Sequence, residues 1–347
     1  MLNKSEKLIA HIHSLVPYDR KVKIMNVCGS HEHTIAFSGM RSLMPQNLEL
    51  IPGPGCPVCV CPESDIINAI NLSKRDDVIL VTYGDMLRVP SKIGSIRSAG
   101  KNYRMVTSPF EVLTIAKDHA DKKIVFFSIG FETTTAPTAA ILEMGVPDNL
   151  YILSSHKLTP AIMEILVKDA DIGIDGFIAP GHVSAIVGSN AWNVFSEKYS
   201  IPTVVAGFEA ENLLLGIADI LRQIKDGVAE TTNVYSSVVR PAGNTQAQKI
   251  MHKYFEVSSV NWRGIGYIPD SGLELKSAYS AKDARKVFEL KEVKEEKIPG
   301  CICGDVILGK AYPSKCKLFK KACTPQSPKG PCMVSQEGSC NIWYKTN

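Results

Sequence analysis

The sequence predicts an α/β protein, with two domains built on parallel sheets and a smaller cysteine-rich part at the C-terminus. Short apolar segments alternate with polar loops and helical patterns from about residue 21 to residue 225, and several are apolar without interruption, as in strands buried on both faces. Six of the ten cysteines fall in the last 47 residues. A length of 347 residues suits two or three domains.

The first part of the chain contains two strand–loop–helix units after a leading helix. Apolar side chains recur at helical spacing over residues 3–16, and Pro17 ends this pattern. The predicted strands and helices that follow are 21–27 (strand), 31–43 (helix), 48–52 (strand) and 63–73 (helix). Each strand delivers a glycine-containing loop to its carboxyl end: CGSHEHT (28–34) and GPGCPVC (53–59).

The same alternation continues to about residue 225. Predicted strands lie at 77–82, 123–129, 150–153, 176–179 and 203–206. Their loops are YGD (83–85), GFETTT (130–135), SSHK (154–157), PGHVS (180–184) and GFE (207–209). Because ligands bind at the carboxyl ends of parallel strands, these loops predict a site at one edge of the sheets. We predict domains at 1–118, 119–235 and 236–347.

Composition excludes several classes of protein. A formal net charge of +4, with no basic stripe, gives no argument for nucleic acid. No apolar run approaches the roughly 20 residues of a membrane span, and the N-terminus does not have the pattern of a signal peptide. We therefore expect a cytoplasmic protein, in which ten cysteines serve as ligands or redox groups rather than structural disulfides.

Soft ligands are concentrated in residues 25–62. The stretch contains two histidines and four cysteines, namely His31, His33, Cys28, Cys56, Cys59 and Cys61. Thiolates and imidazoles at short spacing suit iron, zinc or redox exchange better than calcium or magnesium. The tail adds cysteines at 301, 303, 316, 323, 332 and 340, in a segment with little apolar surface that needs a metal or disulfide staple. Four thiolates would suit zinc or a 4Fe-4S cluster.

Taken together, the motifs resemble the HypD family, whose members act as scaffolds in assembly of the iron centre of nickel–iron hydrogenases. The motifs are CGSHEHT (28–34), GPGCPVC (53–59), TYGD (82–85), GFETT (130–134), PGHVS (180–184) and CGDVILGKAYPSKCKLFKKACTPQSPKGPCMVSQEGSC (303–340). The resemblance implies two α/β domains facing a cleft and a third domain with a 4Fe-4S cluster. It also implies an iron atom that receives cyanide and carbon monoxide, in a complex with a HypC-like chaperone and a HypE-like cyanide donor.

Residue roles follow from this resemblance. The tail spacing assigns the cluster to Cys303, Cys316, Cys323 and Cys340. Cys301 and Cys332 are left over, and in some relatives an extra pair resembles the redox disulfide of ferredoxin-thioredoxin reductases. Whether the two meet here stays open, because a bridge needs Cα atoms within about 7 Å.

In the N-terminal stretch, Cys28 is expected to bind iron, with His31 as a ligand or proton donor. The role of His33 stays open, since a histidine in a first helical turn often only caps or packs. Cys56 and Cys59 have the CxxC spacing of thiol–disulfide oxidoreductases and are expected to carry electrons. Cys61 is interpreted as an incidental thiol, although a zinc knot with the other three cysteines of the stretch is an alternative.

Five further side chains are expected to line the cleft and orient ligands or move protons: Asp85, Glu132, Thr133, His156 and His182. Helix capping is the alternative for the two histidines. GFETT lacks the GK[ST] of a P-loop, so nucleotide hydrolysis is not predicted. The leading hypothesis is a metallocentre assembly scaffold with redox activity rather than an ordinary enzyme, and a monomer when free. A stand-alone iron–sulfur thiol–disulfide reductase and a zinc-stabilised binding module are the competing hypotheses.

Overall fold

The computed structural model describes residues 4–295 and 298–346, and within them eleven strands form two sheets. The strands are β1 (Val22–Asn26), β2 (Leu48–Pro52), β3 (Val78–Tyr83), β4 (Tyr103–Val106), β5 (Lys123–Gly130), β6 (Leu150–Lys157), β7 (Gly176–Pro180), β8 (Thr203–Ala206), β9 (Thr231–Asn233), β10 (Phe255–Trp262) and β11 (Gly266–Leu275). All strands predicted from the sequence are present, with ends within a few residues of the predicted ones.

Helices join most of these strands. They are α1 (Lys4–Leu15), α2 (Gly29–Phe37), α3 (Met40–Leu43), α4 (Pro57–Val60), α5 (Glu63–Ser73), α6 (Ile96–Ala99), α7 (Glu111–Asp118), α8 (Glu132–Glu143), α9 (Thr159–Lys168), α10 (Gly181–Val187), α11 (Asn193–Tyr199), α12 (Ala210–Asp226), α13 (Thr245–Tyr254), α14 (Ala284–Val287), α15 (Cys303–Ile307) and α16 (Ser339–Thr346). The single helix predicted over 31–43 is two helices, because Gly39 adopts a left-handed conformation (φ 65°) between them.

The first sheet has the order β2-β1-β7-β8-β9 and is parallel throughout. The second has the order β10-β11-β6-β5-β3-β4. Its central strands are parallel, but β11 runs antiparallel to β6, and β10 antiparallel to β11. The second sheet is therefore mixed, whereas the sequence predicted parallel sheets only.

The two sheets take their strands from interleaved parts of the chain. β1 and β2 pair with β7 to β9, while β3 to β6 pair with β10 and β11. The predicted ranges 1–118, 119–235 and 236–347 therefore do not each enclose one sheet. Alternation of strands and helices identifies elements but carries no information on which strand is the neighbour of which.

The core has several apolar clusters around the sheets. One of them contains residues of both sheets, including Val27 at the end of β1, Phe131 after β5 and Trp262 of β10, so the two α/β units share packed surface. None of the helices in the described ranges has the length and apolar character needed to cross a membrane.

Candidate functional site: a cysteine-rich edge where two loops and the C-terminal tail meet

The loops that follow β1 and β2 lie against each other. The strands are parallel neighbours, so their carboxyl ends leave the first sheet side by side. The Gly29 N–H donates to the Gly55 carbonyl at 3.2 Å. A Cβ atom on Gly55 would lie 2.4 Å from the Cα of Cys28, so only glycine fits there. The GPG turn thus brings the CPVC segment beside Cys28.

Cys56 and Cys59 are joined by a disulfide, with a Cα–Cα distance of 5.3 Å. Both residues are buried. Cys56 precedes α4, and its Sγ accepts a hydrogen bond from the Cys59 N–H at 3.2 Å, while Pro57 begins the helix. The two cysteines are thus bonded to each other, and their redox role stays a prediction.

The thiol of Cys28 is half-buried at the start of α2. Burial raises the pKa of Cys28 to about 11; the backbone N–H of His31 opposes this, and the carboxylate of Glu337 adds to it. Glu337 comes from the tail and lies over the loop, since a Cβ atom on Gly29 would lie 2.4 Å from the Glu337 Cβ. Partial desolvation, and then Asp85, raise the pKa of Glu337.

Three segments distant in sequence therefore meet at this point, and they contribute Cys28, Asp85 and Glu337. The predicted role of Asp85 in orienting ligands or moving protons stays a prediction. The sequence argument did not single out Glu337. Its only signal is an acidic side chain in the run QEGSC within a cysteine-rich tail.

His31 and His182 both contact the ring of one aromatic residue. Both rings contact Phe208, at centroid distances of 5.1 and 4.1 Å, because β1, β7 and β8 are consecutive in the first sheet. The Nε2 of His31 lies 3.2 Å from the Ala206 carbonyl, and burial lowers the pKa of His31 to about 4, so the ring is neutral. His33 is exposed and stacks on Phe37.

Glu132, the first residue of α8, is bound by the first residue of α9. Both carboxylate oxygens of Glu132 are engaged by Thr159, which donates from its N–H at 2.8 Å and from its hydroxyl at 2.9 Å. Burial raises the pKa of Glu132 to about 7. Thr133 is half-buried in the first turn of α8.

His156 was expected to line the cleft, but the structure places it in the core beside the second sheet. The residue is 1% exposed, its Nε2 lies 2.9 Å from the Ser128 hydroxyl, and its ring contacts Phe255. Burial lowers the pKa of His156 to about 3. Successive side chains of a strand face opposite sides, and His156 has the side that points into the core.

Six cysteines of the tail surround one small cavity of about 20 Å³: Cys301, Cys303, Cys316, Cys323, Cys332 and Cys340. Hydrogen bonds from Cys301 and Cys332 hold the pKa of Cys303 below its ordinary value. The Sγ of Cys323 accepts a hydrogen bond from the Lys329 N–H at 3.3 Å. Convergent thiols, apolar walls and N–H donors to sulfur fit an iron–sulfur cluster held by four of these residues.

A cavity of about 310 Å³ is lined by Cys59 of the disulfide and by two tail cysteines, Cys301 and Cys303. Arg263, which is 6% exposed, also lines the cavity, and its Nε is 3.5 Å from a Glu295 carboxylate oxygen. The disulfide and the tail cysteines thus share one chamber.

The tail is fixed to the Cys28 loop through Glu32. This carboxylate is 1% exposed and accepts hydrogen bonds from Arg41 at 2.6 Å, from Asn26 at 3.1 Å and from the Trp343 indole N–H at 2.7 Å. The guanidinium of Arg41 also lies over the Trp343 ring. Helix α16 is therefore anchored on α2, which begins directly after Cys28. This contact joins residues that are distant in sequence, so local patterns could not predict it.

Cys61 faces away from the other N-terminal cysteines. Its Sγ is 3.6 Å from the Ser155 hydroxyl of β6, and burial raises its pKa to about 12. In the alternative zinc site, Cys56 and Cys59 would also be ligands, but here they are joined in a disulfide. A zinc ion bound by all four cysteines would therefore require reduction of that disulfide.

Comparison with known proteins identifies the family. Residues 3–347 match the family model described as HypD, hydrogenase formation hypA family. A putative hydrogenase expression/formation protein of Methanocaldococcus jannaschii is 43% identical over 98% of this chain and 96% of its own length. The hydrogenase maturation factors HypD of Azotobacter vinelandii and Escherichia coli are 40% and 38% identical, each over 98% of this chain and over 93% and 94% of their own lengths. The chain belongs to the HypD family and has a role in hydrogenase maturation.

Proposed function

We propose that this protein is the scaffold on which the Fe(CN)2CO group of a nickel–iron hydrogenase is assembled. In this proposal the iron atom is cargo and is bound through Cys28. A HypC-like chaperone and a HypE-like cyanide donor form a complex with the protein at this site. The observation that carries the proposal is the nearness of three sulfur groups: Cys28, the adjoining CPVC disulfide, and the tail cysteines, two of which line a cavity together with Cys59.

Cys28 has the properties of a metal ligand whose thiol stays protonated until the metal ion binds. A thiol with a pKa near 11 is protonated at neutral pH, so iron binding must displace a proton. Glu337 lies beside the thiol and has a raised pKa, which suits it to accept that proton. The neutral ring of His31 is fixed by the Ala206 carbonyl and borders the same loop.

The disulfide provides a two-electron store. Its reduction consumes two electrons and two protons and yields the thiols of Cys56 and Cys59. When bound at Cys303, Cys316, Cys323 and Cys340, a 4Fe-4S cluster supplies single electrons. Cys301 and Cys303 line the same cavity as Cys59, and in this proposal the disulfide is reduced from the tail through that cavity. A low-potential one-electron donor must act twice for each disulfide.

Anaerobically purified protein, co-expressed with the other maturation proteins, tests this scheme. We expect infrared stretching bands of metal-bound cyanide and carbon monoxide together with a brown iron–sulfur chromophore. Cys28→Ala should abolish the infrared bands and retain the chromophore, whereas Cys316→Ala should remove the chromophore. Cys61→Ala is the matched control: its buried thiol faces Ser155, so both signals should persist.

Three outcomes would contradict the scheme. Infrared bands that survive in Cys28→Ala would place the iron elsewhere. Stoichiometric zinc, with no iron above background after anaerobic reconstitution, would favour the zinc-stabilised module. Turnover of disulfide substrates by the isolated protein, with no infrared bands in any complex, would favour the stand-alone reductase.

A further inference from the structure

The C-terminal tail carries the positive charge of this protein. Residues 298–346 contain seven lysines, one aspartate and one glutamate, a formal net charge of +5, whereas the whole chain has a formal net charge of +4. No acidic residue occurs between Asp305 and Glu337, a stretch that contains six of the lysines. The cysteine-rich tail is therefore basic, and the rest of the chain is nearly neutral.

Five exposed lysines lie beside two of the cysteines that are proposed as cluster ligands, and we call them the lysine surface: Lys315, Lys317, Lys320, Lys321 and Lys329. Three of them belong to the turn between Cys316 and Cys323, which is closed by the hydrogen bond from the Cys323 N–H to the Leu318 carbonyl at 2.9 Å. Of the other two, Lys315 precedes Cys316, and the Lys329 N–H donates to the Cys323 Sγ at 3.3 Å. The positive charge is thus fixed around these two cysteines.

The chain itself neutralises little of this charge. Lys310, the sixth lysine of the stretch, is paired with Asp169 at 2.5 Å and is left out of the lysine surface for that reason. Within the described residues, no ion pair is formed by four members of the surface, namely Lys315, Lys317, Lys321 and Lys329. An exposed surface of one sign attracts a partner of the opposite sign and speeds their association.

Only partly exposed side chains separate the tail cysteines from this surface. Leu318 and Phe319 are half-buried, and both line the small cavity that the six cysteines surround. Cys316 is half-buried as well, and its Sγ lies 3.6 Å from the Gly300 carbonyl. A protein that binds to the lysine surface would therefore lie next to the cysteines of the tail.

We propose that the lysine surface docks an acidic one-electron carrier protein, which supplies electrons to the cluster held by the tail. The inference rests on the proposed function, because it needs a cluster at Cys303, Cys316, Cys323 and Cys340. In each encounter the carrier is oxidised by one electron, the cluster is reduced by one electron, and no covalent bond forms or breaks. Reduction of the CPVC disulfide therefore takes two encounters.

The charge and the position of the surface select this partner. Electron-transfer complexes bury little area, so complementary charge contributes much of their recognition, and salt weakens it by screening. Nucleic acid is also acidic but supplies no electrons. The location of the lysines beside proposed cluster ligands thus favours a redox carrier.

A binding experiment tests the docking surface on the full-length protein, prepared anaerobically, with an acidic two-cluster bacterial ferredoxin as the probe. We expect binding that weakens about tenfold or more between about 50 and about 300 mM salt. Lys317→Glu/Lys321→Glu should weaken binding about tenfold or more at low salt, because two attractive contacts become repulsive. Lys117→Glu/Lys225→Glu, on exposed positions of α7 and α12, makes the same change in net charge and should bind like the wild type.

A kinetic experiment separates docking from the presence of the cluster. Reduction of the brown chromophore is followed with two donors, the reduced ferredoxin and reduced methyl viologen, a small cation that needs no docking surface. Lys317→Glu/Lys321→Glu should slow reduction by ferredoxin about tenfold without slowing reduction by the viologen. A wild-type protein with no chromophore for the viologen to reduce would contradict the proposed function, while the binding experiment would still decide the docking surface.

Four results would overturn the docking proposal. They are an absence of ferredoxin binding at low salt, binding that does not change with salt, and equal weakening in the two double variants, which would assign the effect to net charge alone. The fourth is binding of a duplex oligonucleotide as tight as that of the ferredoxin, which would make the lysines a general polyanion surface.

Discussion

The anchor between Glu32 and Trp343 gives a sharp prediction about how the tail is held on the Cys28 loop. Glu32→Gln keeps the shape of the side chain but removes its negative charge. It also replaces one acceptor oxygen with an amide N–H2 group, which cannot accept the hydrogen bonds that the carboxylate accepted. Arg41 loses an ion pair of 2.6 Å, and one of three buried donors to Glu32 is left without an acceptor.

The size of the effect follows from burial. The side chain of Glu32 is 2% exposed, and breaking a buried pair from one side costs about 3 kcal/mol or more. Because α16 contributes Trp343 to this contact, the loss should appear as easier local opening of that helix. An opening free energy lower by about 3 kcal/mol corresponds to roughly 100-fold faster exchange of its backbone amides.

Hydrogen exchange followed by mass spectrometry measures this effect, and it is preferable to global unfolding because a protein of several domains need not unfold in two states. Glu143→Gln is the matched control. Its ion pair with Lys253 is also 2.6 Å long but 42% and 50% exposed, so exchange of α16 should not change. Equal exchange of α16 in Glu32→Gln and wild type, or equal acceleration in both variants, would refute the reasoning.

Three further predictions concern single residues. Since burial raises the pKa of Cys28 to about 11, its alkylation rate in the metal-free protein should rise tenfold per pH unit from neutral pH up to about pH 11; peptide mapping that finds a plateau by pH 9 would disprove this. Glu132 has a folded pKa of about 7, above its ordinary 4.5, so its stabilising contribution is complete below pH 4.5 and lost as pH rises through 7. Glu132→Gln, which can still accept a hydrogen bond from Thr159, should make the melting temperature nearly independent of pH between 4.5 and 7. If the melting temperature of this variant still fell with pH as in the wild type, the pH dependence would belong to other groups. Gly55→Ala should lower the melting temperature by several degrees, because its Cβ would lie 2.4 Å from the Cys28 Cα. Gly145→Ala is the control, since this glycine has open space around it and the substitution tests only the cost of a positive φ. An equal loss of melting temperature in both variants would exclude the steric argument.

Local patterns predicted the secondary structure well and the pairing of strands poorly. Apolar runs located seven of the eleven strands in the described residues, whereas β4, β9, β10 and β11 were not predicted. The interleaving of the two sheets was not predictable, because the partner of β1 on one side is β7, about 150 residues further along the chain. The antiparallel pair β10 and β11 also joins the second sheet from a segment that the sequence assigned to the tail.

The sequence by itself determined the chemistry available to this protein: ten cysteines in two groups, a CxxC pair, and glycines at the loops that carry them. Spacing and residue type are local properties, and they were the basis for proposing Cys28 and the CPVC pair as site residues. Only the tertiary structure decided which of these groups meet. It brought Glu337 to Cys28 and Asp85 to Glu337, and it placed His156 in the core. Such contacts join residues far apart in the chain, and their existence depends on how the sheets pack rather than on any neighbouring residue.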